Sequence, residues 1–333
     1  MSQPNLTTAE RVPESQPGPK RSFEGADSLL LLTTLIWGVN YPVVKYALAD
    51  LIPINFAALR FFFGTIVMVA FMIGTRRNFK VSRSDFLRLC GLGFLANVLY
   101  QSLFVYGMKL STAGDASIML ATAPIFTAII GRFRRLEFFS SRAIAGLALA
   151  FLGIVLLVES KGGGGAARDK VLGDSLLILG AICWASYTVG IKGFSHTYGS
   201  IKATSMVMLT GAPMLVVVSI PSLLSQNWTA VRHGSWVGVA YSALFSIAIA
   251  YIIWGYGVRR IGPTRTSLYS NIIPIATLAL AWPMIGERPR LGQVAGAIVI
   301  LAGVYLVRRG MAYSPAVSDP VEEETEEESV GLG

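Results

Sequence analysis

Residues 112–158 read TAGDASIMLATAPIFTAIIGRFRRLEFFSSRAIAGLALAFLGIVLLV, and residues 262–308 repeat their landmarks. Pro124 returns as Pro274, Glu137 as Glu287, Gly146 as Gly296 and Gly153 as Gly303, all 150 residues apart. Ser117 and Ser267, Thr127 and Thr277, and Tyr106 and Tyr256 fall on the same offset. A proline, an acid and two glycines in one ungapped register mark an internal duplication. Trp37 with Trp184 and Gly64 with Gly211, both 147 apart, extend it to the rest of each half. The three-residue difference between the registers implies a small insertion between the matched blocks.

The 333-residue chain is 53% hydrophobic and only 14% charged, with mean hydropathy +0.58. A soluble domain carries nearer a quarter charged residues. Few charges among long apolar runs mean that the bilayer is the solvent. The net charge of +9 does not point to nucleic acid, because the basic residues lie in short gaps between apolar runs. Cys90 and Cys183 sit in separate apolar segments and indicate no disulfide framework.

Ten apolar segments are each about long enough to span: 28–49, 54–74, 86–108, 115–130, 142–158, 174–192, 201–221, 236–257, 265–285 and 291–307. The chain therefore divides into an N-terminal cytosolic tail (1–27), a first five-helix repeat (28–158), a Gly-rich linker (159–173), a second five-helix repeat (174–309) and an acidic C-terminal tail (310–333). Both tails are expected to be disordered. Lys and Arg concentrate in alternate gaps, which predicts both termini in the cytoplasm. Five is odd, so the repeats must be inverted relative to one another. The expected fold is an all-α polytopic membrane protein of the inner (plasma) membrane.

No nucleophile elbow, HExxH or Cys/His metal spacing occurs, so no catalytic residue, metal or cofactor is expected, and no enzyme. The polar and aromatic residues inside the spans carry the chemistry instead. Trp37, Asn40 and Tyr41 share a face of the first span, and Trp184 and Tyr187 the matching face of the sixth. Asn97, Tyr100, Gln101 and Phe104 share a face of the third, Tyr251 and Trp254 of the eighth, and Ser270 and Asn271 lie in the ninth. Buried amides and hydroxyls need partners and turn inward. Converging faces would make a mid-membrane cavity for a small zwitterionic or aromatic metabolite. The same residues also serve elsewhere as interhelical glue or as an interfacial belt. Arg60 and Lys45 are candidate contacts for a substrate carboxylate; a structural Arg60–Asp115 pair and a snorkelling Lys45 are the alternative. Glu137 and Glu287 read as anchors paired to neighbouring arginines at opposite faces of the membrane. Pro42, Pro124 and Pro274 are candidate hinges. Gly146, Gly153, Gly303 and the Gly292–Gly296 step suit helix packing, within the chain or against a second copy as a homodimer.

Trp37-Gly38 with Asn40, Arg60-Phe61, the 112–124 stretch, and the pairs Glu137…Gly146…Gly153 and Gly286-Glu287…Gly296…Gly303 resemble the EamA family of the drug/metabolite transporter superfamily. The resemblance covers about 28–309. It implies spans one to four and six to nine around a central cavity, with five and ten outside. It further implies export of amino acids, related metabolites or drugs by alternating access, and in some members sugars or nucleotide derivatives. The expected partners are a small-molecule substrate and the lipid bilayer. A cationic or aromatic drug exporter is the other transport reading; a membrane scaffold or integral membrane enzyme is the reading from another class. The second half departs from the pattern: Cys183-Trp184-Ala185 stands for Ile36-Trp37-Gly38, and Val207 stands where Arg60 would recur.

Overall fold

The computed structural model describes residues 25–133, 137–159 and 165–313. Among these residues ten long helices follow one another: α1 Gly25–Ala47, α2 Pro53–Gly74, α3 Arg83–Leu110, α4 Ala113–Phe133, α5 Ser141–Glu159, α6 Gly165–Tyr198, α7 Ser200–Ser225, α8 His233–Ile261, α9 Pro263–Ile285 and α10 Leu291–Gly310. Eight are long and apolar enough to cross a membrane; α5 and α10 have shorter apolar cores at 144–153 and 291–307. Leu35, Phe62, Phe151 and Val217 stay exposed on their outer faces, as a hydrocarbon solvent permits. The local signals are ordinary ones. Ser82 and Thr112 cap α3 and α4 by accepting the N–H of Asp85 and Asp115. Gly199 and Gly262 take positive φ in the one-residue turns before α7 and α9, which a side chain would strain.

The packing obeys an approximate twofold relation. Helix α1 packs on α9 as α6 packs on α4, and α2 packs on α8 as α7 packs on α3; α2 meets α7, and α5 meets α10. Irregular backbone recurs in the same way. The middle of α3 is π-helical at Phe94–Leu99 and that of α8 at Ser242–Ile249. Helix α4 is interrupted at 121–122 just before Pro124, and α9 turns 3-10 at Tyr269–Ile272 just before Pro274. The two prolines thus follow real breaks in the helix, whereas α1 runs through Pro42 without interruption. The architecture is an all-α polytopic membrane fold of two inverted five-helix repeats.

The glycine stripe acts within the chain. A Cβ on Gly146 would lie 2.6 Å from the Gly303 carbonyl oxygen, and one on Gly153 would lie 2.9 Å from the Ile300 nitrogen. Only bare backbone lets α5 and α10 approach this closely.

Three boundaries differ from the sequence expectation. Residues 165–173, assigned to a linker, form the start of α6, because Ala166, Ala167, Lys170 and Leu172 are good helix formers once past the glycines. Helix α1 begins at Gly25, inside the expected tail. Met311–Tyr313, assigned to the other tail, forms a strand (β2) antiparallel to Glu137–Phe139 (β1), with Glu137 opposite Tyr313. The rest of both tails lies outside the described residues.

Candidate functional site

Residues related by the duplication touch each other at the centre of the bundle. Trp37 and Trp184, 147 apart, meet edge-on with ring centroids 5.5 Å apart. Gln101 donates from Nε2 to the hydroxyl of Tyr251, 150 residues on, at 3.1 Å. Counterparts under a twofold can be neighbours only beside its axis, so these two pairs mark it. Around them lies a narrow cavity with about 50 Å³ in which a water centre can sit. That is room for a few waters.

The cavity is lined by Trp37, Asn40, Tyr41, Arg60, Tyr100, Gln101, Trp184, Tyr251 and Ser270 from the sequence expectation. Phe104, Ser117, Leu120, Ala121, Ser246, Ile247 and Ile273 complete the wall. Their signal was partly present: Leu120–Ala121 stand at the α4 break and Ile273 follows the α9 break, and Ser246 and Ile247 lie in the π-helical part of α8. The wall is tightly organised. Trp37 donates from Nε1 to the Ser246 carbonyl at 3.0 Å, and Ser242 donates to Asn40 Oδ1 at 2.6 Å. Trp184 contacts the rings of Trp37, Tyr100, Tyr187, Tyr251 and Trp254.

Four expected residues stand back from the cavity. Asn97 donates to the Val207 carbonyl at 3.1 Å and joins α3 to α7. Trp254 is fully buried and donates from Nε1 to Thr188 Oγ1 at 3.2 Å. Tyr187 packs behind Trp184, and Asn271 lies beside the α9 break but outside the wall. Lys45 is elsewhere altogether: its Nζ donates to the carbonyls of Met108, Lys109 and Ser111, the unsatisfied acceptors at the end of α3.

Arg60 is the charged member of the wall. Its residue is 2% exposed, and Nη2 donates to Gln101 Oε1. The guanidinium carbon lies 5.1 Å from the ring centroids of both Phe56 and Phe104 and 5.7 Å from that of Phe61. Its Nε is buried without a hydrogen-bond partner. The expected pairing with Asp115 does not occur. Asp115 accepts instead from Arg290 Nη2 and Gln293 Nε2, each at 2.9 Å, because α10 begins beside the start of α4 whereas Arg60 faces the axis. Ring contacts and one neutral amide leave a buried cation short of acceptors, and buried charge is tolerated when something pairs with it.

The ends of the bundle carry polar clusters. At one end Asp50 accepts from Arg232 Nε at 2.9 Å and from Ser235 Oγ at 2.5 Å. The Arg232 and Ser235 hydrogen bonds hold its carboxyl below the usual carboxylate range. At this same end Glu287 accepts the N–H of Ala113 at 2.9 Å. Burial raises its pKa, while Ala113 and Lys45 pull it down. Glu287 therefore covers the start of α4; of the two arginines that follow it, Arg288 lies over the Trp282 ring at 5.3 Å and Arg290 is taken by Asp115, so the expected Glu–Arg anchor is replaced by this exchange. The side chain of Glu137 lies outside the described residues. At the opposite end Tyr198 donates to Asp85 at 2.6 Å, Lys202 to Asn78 at 2.6 Å, and Tyr269 to Asp27.

The model of the EamA-like transporter family matches twice, over residues 25–159 and 171–309. Among curated proteins the chain is similar to the uncharacterized transporter YyaM of Bacillus subtilis, at 27% identity over 83% of this chain and 91% of that one. An uncharacterized transporter of Archaeoglobus fulgidus is 29% identical, with 84% and 95% covered. A probable amino-acid metabolite efflux pump of Escherichia coli is 26% identical, with 87% and 96% covered. A crystal structure with TM-score 0.65 and 17% identity, covering 86% of this chain and 98% of that one, shares the fold. Two matched repeats, each with its own broken fourth helix, converge on one axial cavity: the chain belongs to the EamA-like transporter family.

Proposed function

We propose that this transporter exports amino acids or related small carboxylates by alternating access through the axial cavity. The observation that carries the proposal is Arg60, a buried guanidinium in the cavity wall whose contacts are rings and one amide. A substrate carboxylate would supply the missing acceptor, and the two tryptophans of the wall, Trp37 and Trp184, would supply an apolar surface. The similarity to a probable amino-acid metabolite efflux pump supports this reading. A cationic drug fits less well, because Arg60 would repel it.

The Asp50 end is the outer face in this reading, with both termini in the cytoplasm. The loop and helix termini at the other end hold Arg76, Arg77, Lys80, Lys202 and Arg259, as the positive-inside rule requires. Inverted repeats around a midplane site suit rocking of one repeat against the other. Asp115–Arg290 would then hold the outer side shut and Tyr269–Asp27 the inner side.

The test is flux into proteoliposomes of L-phenylalanine against L-phenylalaninamide. A charge-assisted hydrogen bond contributes about 1.5–3 kcal/mol, so Arg60→Gln should reduce the preference for the carboxylate roughly 10- to 100-fold. Arg60→Lys should keep part of it. An unchanged preference in folded Arg60→Gln protein would overturn the reading.

A further inference from the structure

We infer that a carboxylate substrate occupies this cavity in one fixed orientation, its carboxylate toward the outer half on Arg60 and its apolar body across the axis on Trp184. The inference rests on the carboxylate reading of Arg60. A cavity on a twofold axis between identical halves would offer the same groups to a substrate and to its flipped image. Here the halves are not identical. The counterpart of Arg60 is Val207, which is fully buried and whose carbonyl is taken by Asn97.

Two further substitutions act in the same direction. Tyr41 and Phe104 line the cavity on the first-repeat side, in mutual ring contact at 5.9 Å. Their counterparts are Thr188 and Trp254, which are both fully buried and bond to each other outside the wall. The space that is open beside Arg60 is therefore filled by an indole on the other side. One half offers a cation and room around it; the other offers an aromatic surface without a cation. A flipped substrate would place its carboxylate against rings and forfeit the charge-assisted contact, a loss of roughly 10- to 100-fold in affinity.

The orientation can be read by photolabelling the full chain in proteoliposomes with 4-azido-L-phenylalanine, whose azide sits at the far end from the carboxylate. L-Phenylalanine serves as competitor, and mass spectrometry maps the labelled peptides. The expected result is competed label at Trp184, lost in Arg60→Gln and kept in part in Arg60→Lys. Competed label on Tyr41 or Phe104, or label shared evenly between the two sides, would overturn the orientation while the dependence on Arg60 still upheld the carboxylate reading. Label at these positions that Arg60→Gln leaves intact, or the absence of any competed label, would overturn both. Gel filtration and thermal unfolding of each variant separate lost binding from lost folding.

Discussion

At the Asp50 end of the bundle, Asp115 of α4 is held by Arg290 and Gln293 of α10, and Glu287 covers the first N–H of α4. The duplication places Arg265, Ser140, Ala143 and Glu137 at the matching positions of the other end. A cation stands where the acid would be, and neither Ser140 nor Ala143 can replace the arginine and the amide. Yet the backbone of the two repeats is alike: both α4 and α9 break before a proline, and both α3 and α8 turn π-helical at mid-length. The contrast separates two kinds of requirement. Backbone irregularities that let helices bend past one another recur in both repeats. Side-chain charge, which tells one face of a membrane from the other, differs between them.

The most severe way to break this contrast is to restore the missing cation. Val207→Arg would put a guanidinium at a fully buried position already crowded by Gly93 and Asn97. An unpaired charge there exceeds what a marginally stable fold withstands, so the variant should give little folded protein by gel filtration. Next comes Asp115→Ala. Removing one partner of a buried pair costs about 3–5 kcal/mol. Arg290 is 38% exposed and can turn to water, so the expected loss is about 2–3 kcal/mol by the same comparison. Arg265→Ala, at the matching exposed position, should change stability by no more than about 0.5 kcal/mol. Equal losses in the two variants, measured by thermal unfolding in detergent, would erase the distinction between the ends.

The α5–α10 contact sharpens the other half of the comparison. Gly303→Ala would bring a Cβ within 2.5 Å of the Ala150 nitrogen, and Gly153→Ala within 2.7 Å of an Ile300 side-chain carbon. Overpacking of this kind costs about 1–3 kcal/mol. The two variants should cost similar amounts, since here the repeats serve one another alike; a large inequality would show that the contact is not symmetric. The smallest effect belongs to Asp50→Asn. Hydrogen bonds depress the folded pKa of Asp50, so its contribution is present above the unfolded carboxylate range and lost as pH falls through the folded value. The variant should melt a few degrees lower at most near neutral pH, and the gap should close in acid.

Much of the site was legible in the sequence because helix periodicity puts neighbours on one face. Trp37, Asn40 and Tyr41 fall together in the wall as that spacing predicts. The rule fails where the helix is not α. Asn97 lies inside the π-helical turn of α3 and Gln101 just beyond it. The wider turn rotates the face between them, so Gln101 meets the cavity and Asn97 turns to α7. Trp254 shares a face with Tyr251 but finds Thr188, a partner that no spacing along α8 could name. Lys45 was legible as a charge inside a span, yet its acceptors are carbonyls at the end of another helix.

By itself the sequence determined the membrane class, the duplication and the parity that inverts the repeats. Those depend on composition and on register, which are properties read along the chain. The tertiary structure decided which counterparts touch on the axis, that Asp115 belongs to Arg290, and that Arg60 is left facing the cavity. Each is a choice of partner among residues far apart in sequence, and distance in space sets it. A charge in a low-dielectric interior is defined by its nearest acceptor, and Arg60 among phenylalanine rings acquires a meaning that its place in the chain does not carry.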